Sequence, residues 1–403
     1  MSATPPTDTA PSAPGAVEVT IVAHDIGPVG GMERQLVQLI SGLRGLGHPV
    51  TVIARVCELP PGVEVSFHRV RGPGRPFLIA YPWFLLAGSL AARRRRRGIV
   101  QATGAIVLGQ LDTIAVHYCH QAGVATASRA TWPRRAYIAV VAALDKATER
   151  LVYGSQRSAV FVCVSEGVAD EIRSYFPAAA DRVLTIHNGV DTAAFAPGAR
   201  ADEAAALRAR LGVARGRLLA AFVGSEWERK GLEPAIRALA QAPEWELIVA
   251  GGGDRQHYER LARELGVADA VHWLGVTRDV PLVLAAADAM VFPSAYEAFP
   301  LVALEAAAAG LPILATPVNG VRELIIDGVS GFLIAAEPES IAARLRELAA
   351  DAALRRRVGE AAREAVMQFT WERMVRGHHE LFERLSAVQP AASAPTGPSQ
   401  PRP

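Results

Sequence analysis

Two glutamates stand eight positions apart in the segment Ser294–Ala306: Glu297 and Glu305. Glu297 falls in a loop after the apolar run Ala289–Phe292. Glu305 falls on the helical stretch Leu301–Ala309, beside Val302, Ala303, Leu304, Ala306 and Ala307. A carboxylate is costly to bury in such a surface unless it binds something. One carboxylate in a loop and one on the following helix can hold two ends of a polyol. A plainer account stands beside this: a glutamate favoured by the helix dipole, and a solvated one.

A cationic pair lies upstream, in Gly224-Ser225-Glu226-Trp227-Glu228-Arg229-Lys230-Gly231. Of 42 basic residues only Lys146 and Lys230 are lysine. Strand Leu218–Val223 leads into this loop and helix Leu232–Gln241 leads out. A lysine point charge and an arginine fork suit a diphosphate; a solvated turn is the alternative. A second loop, Gly27 to Arg34, carries the pair Gly30-Gly31 at the mouth of helix Met32–Leu46. Free amides and a helix dipole make an anion site there, although a simple tight turn uses the same glycines. Neither loop is G-x-G-x-x-G, and no acid is placed as a ribose acceptor, which disfavours a dinucleotide oxidoreductase.

Positioning these groups requires a framework, and the chain supplies one by alternation. The expected strands of the first half are Val17–Ala23, Val50–Ala54, Val63–Val70, Ile99–Ala102, Thr113–His117, Val160–Val164 and Val183–Ile186. Helical stretches separate them. The cycle restarts after Asn188-Gly189 with Leu218–Val223, Glu246–Ala250, Val271–Leu274, Ala289–Phe292, Pro312–Ala315 and Gly331–Ile334. Short connections between strands and helices imply parallel sheets covered by helices. The fold class is therefore α/β, with two doubly wound parallel-sheet domains meeting near residues 187–198. Each should open its crevice at the carboxyl ends of its strands, and the two crevices face each other across a cleft. The expected divisions are a disordered tail 1–16, domains 17–188 and 189–370, a returning helix 371–387, and a tail 388–403.

Composition bounds the setting. The chain has 403 residues, half of them hydrophobic, and a net charge of +2, which gives no reason to expect a nucleic-acid partner. Cys57, Cys119 and Cys163 have neither disulfide nor metal-ligand spacing, and the N-terminal residues lack a signal-peptide pattern, so a cytoplasmic setting is expected. Pro76–Ala92 is uncharged and runs into Arg93, Arg94, Arg95, Arg96 and Arg97. The plain reading is a buried or half-buried helix. The alternative is peripheral contact with an anionic membrane through the arginines.

The motifs together carry a resemblance. EAFPLVALEAAAAGLPILATPVNGVRELIIDGVSGFLI, from Glu297 to Ile334, resembles the donor-site signature of retaining glycosyltransferases of family 4, which have the GT-B fold. Gly30-Gly31-Met32-Glu33-Arg34 is similar to the family's N-terminal glycine loop. Val164–Val168 and Asn188–Asp191 resemble its hinge markers, Phe222–Gly224 with Arg229–Gly231 its phosphate loop, and Phe369–Glu372 the start of its last helix. The Gly-Ser…Arg-Lys-Gly form is most similar to glucosyltransferases of the lipopolysaccharide core.

The resemblance implies a transfer from a nucleotide-diphosphate sugar, favouring UDP-sugars, to a glycan or glycolipid hydroxyl. It implies retention, no metal and no cofactor. The chain's lack of any D-x-D fits that. Lys230 and Arg229 would hold the diphosphate, helped by Gly30 and Gly31. Glu305 would bind the ribose. Glu297 and the amides of Phe299 and Leu301 would hold the sugar, and the backbone near Val276 would read the base. His117 would face the sugar from the N-terminal domain, with His120 its rival for that place. Two departures matter. Pro300 stands where the family usually has glycine, removing an N–H, and Ser225 stands where many members carry arginine. A nucleotide-sugar epimerase and a catalytically silent binding module are the rival readings.

Overall fold

The computed structural model describes residues 16–28, 30–123 and 132–388. The tails assigned to 1–16 and 388–403 lie outside these, apart from Ala16 and Val388.

The N-terminal half is a seven-stranded parallel sheet. Its strand order is Ser66–Arg69, Val50–Ala54, Val19–Val22, Ile99–Thr103, Thr113–Val116, Val160–Cys163 and Val183–Thr185. Val19–Val22 pairs in parallel register with Val50–Ile53 on one side and Ile99–Ala102 on the other. The second half is a six-stranded parallel sheet ordered Val271–Gly275, Trp245–Ala250, Leu218–Val223, Ala289–Phe292, Ile313–Ala315 and Phe332–Leu333. Every residue of Val50–Ala54 and of Trp245–Ala250 is buried. That is why Val50–Ala54 and Leu247–Ala250 read as unbroken β-branched and apolar runs rather than as alternating ones.

Both sheets share one order. The first strand is central, the second and third lie to one side, and the fourth onward lie to the other. The winding therefore reverses beside Val19–Val22 in one domain and beside Leu218–Val223 in the other. Such switch points leave a crevice at the carboxyl ends of the strands.

The chain crosses between domains twice, side by side. Val190 N–H donates to the Phe369 carbonyl at 3.0 Å, and Val190 bridges Thr370. A Cβ on Gly189 would sit 2.2 Å from the backbone nitrogen of Trp371, so only glycine fits this crossing. The final helix, Trp371–Val388, returns to the N-terminal domain and packs on helix Gly31–Gly45. There Gly42 makes room for Val375.

One feature departs from the sequence expectation, and a second, the half-buried helix, follows it. A pair of two-residue strands, Asp25–Ile26 and Val56–Cys57, extends the first loop; two residues are too few to show a period. Helix Phe77–Arg95 buries Tyr81, Phe84, Gly88 and Ala92, but turns Ile79, Trp83, Leu86 and Leu90 outward. It is a surface helix with an apolar outer stripe. Among the described residues, no helix is long and apolar enough to cross a membrane.

Candidate functional site

The loops that flank the second switch point hold the cationic pair and the first glutamate. After strand Leu218–Val223 the chain turns at Gly224, where a Cβ would strike the Lys230 side chain at 2.6 Å. Glu226 then takes φ 57°, a left-handed conformation that no other non-glycine residue adopts among those described. Holding a non-glycine residue there costs energy, and such strain collects at functional loops. The bend returns Lys230 N–H to the Glu226 carbonyl at 3.0 Å and aims both cations at the loop after Ala289–Phe292.

One oxygen of Glu297 receives all the donors. Lys230 Nζ lies 2.7 Å from Oε1, Ser294 Oγ 2.9 Å and Arg229 Nη1 3.1 Å. Arg229 also donates to Glu226 at 2.7 Å and to the Tyr296 carbonyl. Among the described residues Oε2 of Glu297 takes no hydrogen bond. Burial alone would raise this carboxyl, but the charges of Lys230 and then Arg229 outweigh it and hold the group below its ordinary range. The result is an ionised carboxylate with one oxygen committed to cations and the other available to hydroxyls.

Glu305 is 4% exposed on helix Leu301–Ala308. Its partner comes from the other domain: Arg34 Nη1 lies 2.8 Å from Oε1. Burial pushes the Glu305 carboxyl up, and Arg34 only partly offsets this. Arg34 sits one turn into helix Gly31–Gly45, just past the glycine pair. Gly30 has φ 97°, and a Cβ on Gly31 would stand in ordinary contact, 3.7 Å, with Leu301 Cδ1. The Gly30-Gly31 loop therefore faces the start of helix Leu301–Ala308 across the cleft.

His117, the expected last residue of its strand, stands one position past the observed end of strand Thr113–Val116. Its Nε2 lies 3.1 Å from Gln35 Oε1. Burial, and next the neighbouring His378, lower its pKa to about 4, so the ring is neutral at pH 7. His378 and Met374 belong to the returning helix. Met374 Sδ accepts from Gln35 Nε2 at 3.5 Å, so that helix backs the His117 site.

These groups line one cleft of about 640 Å³ between the domains. Gly30, Gly31 and His117 border it from one side; Arg229, Lys230, Glu297, Phe299, Leu301 and Glu305 border it from the other. Val276 does not line it. That side chain is 82% exposed, while the adjacent Thr277 and Arg278 reach the cleft. His120 also lies outside the lining. Its ring lies tilted against Tyr118, and its Nδ1 is 3.8 Å from Asp145. Trp227, in the same loop as the cations, is buried against Gly253, Tyr258 and Trp273. The sequence reading gave Arg34 and Gln35 no role. Arg34 had one readable signal, a charge three positions after a glycine pair. Gln35 had none.

Two doubly wound domains whose switch points face one another across a cleft are the arrangement of the GT-B fold. Residues 204–365 match the family described as glycosyl transferases group 1, and residues 29–194 match glycosyltransferase family 4. A D-inositol 3-phosphate glycosyltransferase of Salinispora arenicola is 30% identical over 410 aligned positions, covering 91% of this chain and 90% of the relative. Among solved structures, WaaG, a glycosyltransferase involved in lipopolysaccharide biosynthesis, aligns with TM-score 0.75 at 23% identity over 90% of this chain and 99% of that one. Anabaena HepE in complex with UDP-glucose aligns with TM-score 0.66 at 20% identity, over 92% and 100%. The chain belongs to the group 1 and family 4 glycosyltransferases.

Proposed function

We propose that this chain is a metal-independent, retaining hexosyltransferase. It moves a hexose from a nucleotide-diphosphate sugar, a UDP-sugar first, to a hydroxyl of a glycan or glycolipid acceptor. One observation carries the reading: Lys230 and Arg229 converge on a single oxygen of Glu297 at the switch point, leaving the other oxygen for hydroxyls. In this reading Lys230, Arg229 and the amides of Gly30 and Gly31 stabilise the leaving diphosphate, the task a metal performs elsewhere. Glu305 binds the ribose, Glu297 with the amides of Phe299 and Leu301 binds the sugar, and backbone near Val276 meets the base. His117 hydrogen-bonds a sugar hydroxyl as a neutral ring.

The acceptor hydroxyl attacks the anomeric carbon on the face that the diphosphate leaves. The bond from that carbon to the phosphate oxygen breaks, the new glycosidic bond forms, and the hydroxyl proton passes to the departing phosphate. Glu297 is tied to two cations in its own domain, which suits binding rather than a nucleophile's role. An inverted product anomer would overturn this mechanism.

A thermal-shift screen of UDP-, GDP- and ADP-sugars tests the donor, because a ligand that binds the folded state raises its melting temperature. The HepE complex places UDP-glucose first in that screen. Donor turnover to an epimer without acceptor would favour an epimerase instead. The setting proposed is cytoplasmic, with peripheral contact to an anionic membrane through Arg93, Arg94, Arg95, Arg96 and Arg97. All five are exposed at the end of the apolar stripe, although Arg96 and Arg97 also pair with Asp112 and Glu18.

A further inference from the structure

Glu149 lies on helix Trp132–Gly154 and is 1% exposed. A carboxylate is costly to bury unless other groups satisfy it. Here a loop 28 and 29 positions upstream does so. The His120 N–H donates to Oε1 at 2.8 Å and the Gln121 N–H to Oε2 at 3.1 Å. Gln121 Nε2 adds a third donor at 3.3 Å. Gln121 is tied to the same helix twice more. Its Nε2 donates to the Lys146 carbonyl at 2.8 Å, and its own carbonyl accepts from Lys146 Nζ at 3.4 Å.

The loop is the one that carries His117. Strand Thr113–Val116 ends, His117 and Tyr118 line the cleft, and the chain turns at once. The Cys119 carbonyl accepts the N–H of Ala122 at 3.2 Å and of Gly123 at 3.0 Å. This turn does not use the amides of His120 and Gln121, and these are the two that Glu149 takes. A Cβ on Gly123 would stand 2.5 Å from the Tyr118 hydroxyl, so the turn closes back over Tyr118.

Tyr118 reaches the other domain. Its ring centre lies 4.7 Å from that of Tyr296, which immediately precedes Glu297 and whose carbonyl accepts from Arg229. The anchored loop therefore sets His117 and Tyr118 of one domain against the segment that carries the Glu297 carboxylate of the other. A carboxylate suits this anchor because both of its oxygens accept. A glutamine in its place would turn one N–H donor toward another.

The geometry points to Glu149 as a positioning residue for transfer, whose ionised carboxylate holds the loop from His117 to Gly123 against the donor segment. The assignment rests on the transferase reading for its place in the reaction, but the anchoring itself is measurable without substrate. Asp145, His120, Lys146, Tyr81, Cys119 and Tyr153 surround the carboxylate. Burial lowers His120 to about 4 and raises Cys119 to about 12 and both tyrosines above their ordinary value. None of these four changes charge between pH 6 and 8. Burial raises Glu149 to about 7 against the pull of the loop amides, and Asp145, itself raised to about 6, adds to it. Above that value both oxygens accept. Below it one oxygen becomes a donor, and the loop loses an acceptor.

Hydrogen exchange of the full chain without ligand, read by mass spectrometry over peptides spanning 117–123, gives the loop's protection at pH 8 and pH 6. In the parent, protection should fall about tenfold between them, following the ionised fraction of a group that titrates at about 7. Glu149→Gln should be weakly protected at both values, while Asp145→Asn should keep the step. Gln121→Ala leaves the carboxylate and both backbone amides in place, so it should keep the step at lower protection. UDP release from UDP-glucose, with water as acceptor, gives the second readout. Glu149→Gln should lower kcat about tenfold with KM within about twofold, and should abolish the acid limb of kcat near pH 7. A carboxylate that only stabilised the fold would lower the melting temperature and leave that limb in place. Parental protection in Glu149→Gln, or a pH step that survives the substitution, overturns the assignment. Should Glu149→Gln fail to fold, parental protection and parental kcat in Gln121→Ala overturn it instead. A parent that neither binds UDP nor releases it from UDP-glucose counts against the donor reading, and the exchange step then decides the anchoring alone.

Discussion

Arg34 of one domain and Glu305 of the other meet at 2.8 Å across the cleft, and Glu305 is buried. Removing the arginine leaves a buried carboxylate without a counter-charge. For an ion pair of which one member is half exposed, the loss should be roughly 1–3 kcal/mol of stability. Arg34→Ala should therefore lower the denaturation midpoint, and Glu305→Gln in the same background should recover most of it. If Arg34→Ala unfolds as the parent does, the pair contributes nothing. Glu305→Ala should also weaken UDP binding about tenfold, read by calorimetry.

Lys230 and Glu297 form a coupled unit, since the lysine is the nearest of the groups that hold the carboxyl ionised. Lys230→Ala should reduce donor affinity by about 10- to 100-fold through loss of a phosphate contact. Glu297→Ala should lower kcat by at least about 100-fold, or ~2.7 kcal/mol of transition-state binding. The two effects should be less than additive, because each substitution also disturbs the other's partner. Full transfer activity in Glu297→Ala would remove this residue from the site.

The fold was readable because fully buried parallel strands write themselves as β-branched and apolar runs, as in Val50–Ala54 and Leu247–Ala250. Glu297, Glu305 and Lys230 were readable because each contradicts its surroundings, a charge among apolar residues or a lysine in an arginine-rich chain. Arg34, Gln35 and His378 were not. Their partners lie 271, 82 and 261 positions away in Glu305, His117 and His117 respectively, and nothing local marks such a meeting. Trp227, which the sequence leaves open between an exposed platform and packing, is packed: Trp273 of the neighbouring strand covers it.

His117 and His378 are both held near a pKa of about 4, chiefly by burial. In the unfolded chain each takes up its proton near 6.5. Between those values the unfolded state binds more protons, so these groups cost stability as pH falls from about 6.5 toward 4 and nothing above it. Glu149 and Asp145, raised by burial to about 7 and about 6, act in the opposite sense, so the total curve mixes the two. A difference isolates the histidine: the stability of the parent minus that of His378→Gln should fall from pH 6.5 to 5. A constant difference would contradict a neutral buried His378. The profile of kcat/KM between pH 5 and 8 should show no inflection from His117.

Gly167 tests how the domains are held together. It lies in the first turn of helix Glu166–Tyr175, against the donor-motif loop of the other domain. Asn319 donates to Glu171 at 2.7 Å, and Tyr296 donates to the same carboxylate at 2.8 Å. Glu323 accepts the Glu166 N–H at 3.1 Å and pairs with His187 beside the hinge. A Cβ on Gly167 would stand 2.2 Å from Asn319 Oδ1 and 2.5 Å from its Cγ. Gly167→Ala therefore forces Asn319 off Glu171 without touching any residue of the cleft. Loss of one charge-assisted hydrogen bond, about 1.5–3 kcal/mol, should loosen the domain contact. The expected result is a larger radius of gyration by small-angle scattering and a kcat lowered about tenfold. UDP affinity should change less, because most of its proposed contacts belong to one domain. Parental scattering and parental kcat together would show that this contact does not govern closure.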